Sequence, residues 1–109
     1  MRTIPVKLKK QLEADPEYKR CMLSGEKTCI EWHHCFIYYA GKQINERWAI
    51  VALSKWIHRE SPYSVHNNAK TMARVKLLAL GRATSADLAK YPKFDWGKEA
   101  LKLARAIEQ

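Results

Sequence analysis

Two short runs set the framework of this chain. TCIEWHHCF (28–36) and WAIVAL (48–53) are dense in β-branched and aromatic residues, and the first follows the turn signal SGEK (24–27). Both read as strands. Around them, helical spacing, proline, glycine and charge take over. The resulting order is strand, loop, strand, helix, with further helices wrapped round that centre: a small α+β fold.

PVKLKKQLEA (5–14) predicts a short basic helix that stops at Asp15-Pro16, because proline disfavours a helical conformation in the residue before it and can open a new helical turn itself. PEYKRCML (16–23) is that second turn, and YYAGKQINER (38–47) reads as a polar loop around Gly41. Ser54 is a candidate N-cap for a helix KWIHRE (55–60) ending near Ser61-Pro62. From His66 onward Met72, Val75, Leu78 and Ala79 recur at helical spacing, with Gly81 as a C-cap. Ser85 would cap ADLAKY (86–91), and GKEALKLARAIEQ (97–109) carries Ala100, Leu101, Ala104 and Ile107 on one face.

A chain of 109 residues with 47% hydrophobic content fits one folded domain. Its formal net charge of +9 suits a polyanionic partner, nucleic acid first and an acidic membrane surface second. The N-terminus lacks the continuous apolar stretch of a signal peptide, and no segment approaches the ~18–20 apolar residues of a membrane span. Three cysteines, Cys21, Cys29 and Cys35, form an odd set without a secretory signal, so free thiols in a reducing cytoplasm are expected.

Chemistry concentrates at His33 and His34. Neighbours on a regular strand point to opposite faces. At a strand end or bend both can approach one site, one as a metal ligand and the other as a general base near neutral pH. The bland alternative is a pair of half-buried strand histidines, with His58 an exposed helix residue. A nucleophilic Cys35 served by His34 is disfavoured, because adjacent strand side chains diverge.

The stretches IEWHH (30–34) and WAIVALSKWIH (48–58) resemble the HNH nuclease family, and the wording is similar to short HNH-type proteins of phages and prophages. The resemblance implies a ββα-metal centre over about residues 20–66, flanked by C-terminal helices over 67–109. It implies His34 as the catalytic base and His33 and His58 as metal ligands. His66 is either a further ligand brought round by the turn at Pro62 or a polar residue near the next helix start. The family's motif asparagine orients the loop and the catalytic histidine. Its spacing from His34 leads to Ala49, so Asn45 is the candidate, provided that the loop folds differently.

In many zinc-bearing relatives two CxxC pairs flank this motif. The corresponding places here are Cys21 to Ser24 and Ser54 to Ile57, with only Cys21 a thiol. A structural zinc site takes about four ligands, so no structural zinc is expected. The implied activity is a metal-dependent DNA endonuclease using one divalent cation. Imidazole ligands favour Zn, Ni, Mn or Co over an all-oxygen Mg site, though the resemblance does not choose among Mg, Mn, Ni and Zn. Lys55, Arg59, Lys70, Arg74 and Lys76 are candidates to grip phosphates, against the alternative of a solvated helical face. Two further functions stand beside this one. The first is a non-catalytic nucleic-acid-binding module on a degenerate HNH fold. The second is a small phage factor that binds a host protein in the host cytoplasm.

Overall fold

Two antiparallel strands form the spine, where the sequence places them. The computed structural model describes residues 4–39 and 42–108, so Gly41 lies outside the described residues. In chain order the elements are α1 (Val6–Ala14), a 3-10 turn (Pro16–Lys19), β1 (Ile30–His34), β2 (Ile37–Tyr39), β3 (Lys42–Gln43), a 3-10 turn (Arg47–Ala49), β4 (Ile50–Ser54), a π-helical turn (Trp56–Glu60), α2 (Ala69–Arg82), α3 (Ser85–Ala89) and α4 (Trp96–Glu108). β1 and β4 pair antiparallel, with Ile30 opposite Ser54 and His34 opposite Ile50. β2 and β3 make a second, smaller antiparallel pair. The fold is α+β, as expected.

Alternation along the strands separates two apolar layers. Ile50 and Ala52 pack with Leu12 and Tyr18, and partly with Ile30 and Trp32, under α1. Val51 and Leu53 face the other way, into a core with Phe36, Trp48, Val75 and Ala79. There α2 packs against α4. β4 is buried along its whole length. Arg82, at the end of α2, ties the helix to the strand entry: its Nη2 donates to the carbonyls of Trp48 (3.0 Å) and Ile50 (2.8 Å).

The expected polar loop 38–47 instead contributes strand pairs, Ile37 with Gln43 and Tyr39 with Lys42, and Ile44 is fully buried with its N–H donating to the Phe36 carbonyl at 3.0 Å. The second strand is shifted: Trp48 and Ala49, the first two residues of WAIVAL, belong to the 3-10 turn Arg47–Ala49, and Ser54 ends the strand. Ser54 still acts like a cap, its Oγ accepting the Ile57 N–H at 3.2 Å. α2 begins at Ala69 rather than His66, because the Asn68 side chain caps it on the Thr71 N–H. Gly81 is not a C-cap, since the helix runs on through Arg82 to an extended Ala83. Thr84, not Ser85, caps α3, in a capping box with Asp87. On α4 the most buried position is Leu103, while Leu101 is 52% exposed.

Of the positions that correspond to zinc thiols in the resemblance, the first two meet: Cys21 Sγ accepts the Ser24 N–H at 3.5 Å. Glycine is required in this turn, where Gly25 has φ 77°. Cys21, Cys29 and Cys35 are all free thiols. Among the described residues no helix is long and apolar enough to cross a membrane.

Candidate metal centre

Strand periodicity puts Glu31 and His33 on one face of β1, and both look towards the π-helical turn. The 2.8 Å bond from the Ser61 N–H to the Trp56 carbonyl closes this turn five residues apart and presents His58 back to the strand. Wide turns of this kind occur often at functional sites. The chain then doubles back through Pro62. Val65 is buried and its N–H donates to the Ile57 carbonyl at 2.9 Å, which fixes the next residue, His66, beside His58. Asn67 locks the return by donating from Nδ2 to the carbonyls of Arg59 (3.2 Å) and Ser61 (3.1 Å).

The result is a three-histidine cluster. The nitrogens that His33, His58 and His66 offer lie within 4.8 Å of one another. His33 Nδ1 is 3.2 Å from His58 Nε2, and His66 Nε2 is 3.1 Å from the same atom. Bonds of 2.0–2.1 Å to a tetrahedral zinc place two nitrogens roughly 3.3–3.4 Å apart, close to both separations. Three imidazoles with an open remaining position form the donor set of a catalytic rather than a closed structural site. His33 Nε2 is buried without a hydrogen-bond partner. The donor set suits Zn, Ni, Mn or Co better than Mg.

Electrostatics keep the cluster ready for a cation. Burial pushes His33 down to about 3, and repulsion from Lys76, and from His58 and His66 whenever they are protonated, adds to it. Burial also lowers His66, followed by His58 and Arg59. Neutral imidazole is the ligating form, so neither ring needs to shed a proton at neutral pH.

Glu31 is the functional residue that the sequence reasoning missed. Its Oε1 is 2.9 Å from His58 Nδ1, and its Oε2 accepts from Arg59 Nη2 at 2.6 Å. Burial raises its carboxyl, but hydrogen bonds from His58 and Arg59 outweigh that and hold it below the usual range. With its Nδ1 proton on Glu31, His58 must present the Nε2 lone pair to the cluster. Carboxylate partners of this kind set tautomer and ring orientation in metal-binding histidines. The i, i+2 alternation of Glu31 with His33 was the available signal.

His34 stands at the end of β1 and turns to different company. Its Nε2 is 2.8 Å from Asn45 Oδ1. The pairing of β2 with β3 shortens the path from β1 and brings Asn45 to the histidine, although family spacing pointed to Ala49. A proton held on Nε2 by the Asn45 oxygen leaves the Nδ1 lone pair available as a base. His33, His34, His58, His66 and Lys76 line one cleft of about 550 Å³. Cys35 is buried, and burial pushes its thiol up to about 12, so it stays protonated and inert.

The predicted phosphate-gripping set is only partly gathered. Lys76 lines the cleft. Arg59 bonds Glu31 through Nη2 and does not line the cleft. Lys55, Lys70 and Arg74 are exposed but do not line the cleft. Compared with protein-family models, curated proteins and solved structures, the chain matches none.

Proposed function

We propose that this chain is a metal-dependent DNA endonuclease of the HNH type, its ββα-metal centre made by β1, β4 and the π-helical turn. The observation that carries this proposal is the convergence of His33, His58 and His66 from three separate segments, in the cleft that His34 also lines. The Asn45 contact to His34 supports cleavage over a binding-only role, since it gives the base a fixed tautomer. The net charge of +9 supports a nucleic-acid partner.

His33, His58 and His66 would hold one divalent cation, with Glu31 fixing His58. When bound, such an ion supplies positive charge to a phosphate oxygen and to the leaving 3′ oxygen. His34 accepts at Nδ1 a proton from the water that attacks phosphorus, and Asn45 keeps its ring from turning. Lys76, on the cleft wall, adds a positive charge for the scissile phosphate. The bond formed joins the water oxygen to phosphorus, and the bond broken joins phosphorus to O3′, which leaves with a proton from solvent.

The test is incubation of the purified protein with supercoiled plasmid and Mg²⁺, Mn²⁺, Ni²⁺ or Zn²⁺ in turn, with an EDTA control. Nicked or linear product with at least one cation and none in EDTA is expected. Intact plasmid under every cation overturns the proposal.

A further inference from the structure

Of the expected phosphate-gripping set, Lys76 alone lines the cleft. Other cations line an adjoining depression. On α4, Lys98, Lys102 and Arg105 recur at i, i+4 and i+7, which aligns them on one helix face. They line a groove of about 570 Å³ whose lining includes Phe94 and Glu99. Phe94 and Glu99 also line the histidine cleft, so the two depressions adjoin. Leu103 is buried on the opposite side of the helix, where α4 packs on α2, so the basic face is turned outward. Among the described residues, none of these three cations is ion-paired to a carboxylate. Asp95, which also lines the groove, is engaged as a cap, its Oδ1 accepting the Lys98 N–H at 3.1 Å.

Spacing decides what such a row fits. From the first to the third cation the helix advances about 10 Å at 1.5 Å per residue. One DNA strand carries one phosphate per about 3.4 Å of duplex axis, so the row is long enough for each of its three cations to meet a different phosphate. Glu99, the carboxylate that lines both depressions, sits at their junction, and the track begins beyond it.

We propose, resting on the DNA-cleaving reading above, that the α4 groove is a phosphate track. A DNA strand engaged at the histidine cleft runs on over α4, with its phosphates on Lys98, Lys102 and Arg105.

The test compares wild type, the triple variant Lys98→Gln/Lys102→Gln/Arg105→Gln, and the control triple variant Lys7→Gln/Lys9→Gln/Lys10→Gln. The control removes the same charge from exposed positions on α1, across the ribbon from the cleft. Affinity for a blunt duplex is measured across a salt series, alongside Zn²⁺ titration and thermal melting. Each lost phosphate contact lowers the slope of log K against log salt by about 0.9, so the α4 variant should lose between about 2 and 3. The control should lose less than about 1, and Zn²⁺ binding and melting should match wild type in both. An α4 variant that keeps the wild-type slope, or a control that loses as much, overturns the track while leaving DNA binding standing. Wild type with no salt-dependent affinity overturns the DNA reading and the track together.

Discussion

On one face of the β1–β4 ribbon, Ile50 and Ala52 meet Leu12 and Tyr18 in a closed layer under α1. On the other, Glu31 and His33 alternate with those inward residues and reach across to His58 and His66. Both faces come from the same ten paired residues. On this second face Val51 and Leu53 of β4 are buried in the core with α2, and beside them β1 carries the polar Glu31 and His33. His33 shows the cost on the open side: it is buried and neutral, with a nitrogen that has no partner. The lesson is that a ribbon this short can host a site because the opposite face and the α2–α4 layer supply the apolar burial.

The comparison is most sharply tested by removing chemistry and packing separately. His34→Ala should lower plasmid cleavage by about 10²–10⁴-fold, with melting and Zn²⁺ affinity at wild-type values. Undiminished cleavage would remove His34 from the reaction. Leu12→Ala truncates a fully buried side chain on the closed face and should cost about 2–5 kcal/mol in urea unfolding. Measured on folded protein, its Zn²⁺ affinity should hold. A parallel loss of affinity would mean that the faces are coupled.

How much of this was legible follows from the same geometry. The two strands and the histidine pair stand out because strand composition is a local signal, whereas the roles expected of His33, His34 and His58 came from the resemblance. His66 stayed open between two readings because its position depends on the turn through Pro62 and on Val65 anchoring to Ile57, a tertiary contact. Asn45 reaches His34 only because β2 and β3 pair between them. Lys55, Lys70 and Arg74 were expected at the phosphates because they are basic and stand near His58 in the sequence, which does not say where the cleft opens. Helix ends went wrong where the Asn68 and Thr84 side chains outcompeted neighbouring candidates for the cap.

Smaller effects belong to the open face. Glu31→Gln keeps the shape but loses the carboxylate that fixes His58, and should weaken Zn²⁺ binding by about 10–100-fold. Titration that shows unchanged affinity would reduce Glu31 to an ion-pair partner of Arg59. Acid should act through His33. Its folded value is about 3, below the ~6.5 of a free imidazole, so below pH ~6.5 the unfolded chain takes up a proton that the folded chain refuses. The stability that neutral His33 contributes to the metal-free protein is therefore complete above that pH and is lost as pH falls towards about 3. The loss is up to ~1.4 kcal/mol per pH unit. His33→Gln should flatten that slope in unfolding curves taken below pH ~6.5, and a variant with the wild-type slope would assign it to other groups.

Calorimetric titration of metal-free protein with Zn²⁺ near neutral pH, for wild type and for His33→Ala/His58→Ala, addresses the three-histidine centre directly. One ion per chain is expected for wild type and none for the double variant, with both proteins folded by circular dichroism. A wild type that takes up no ion, or a double variant that binds as wild type does, contradicts a metal centre at His33, His58 and His66.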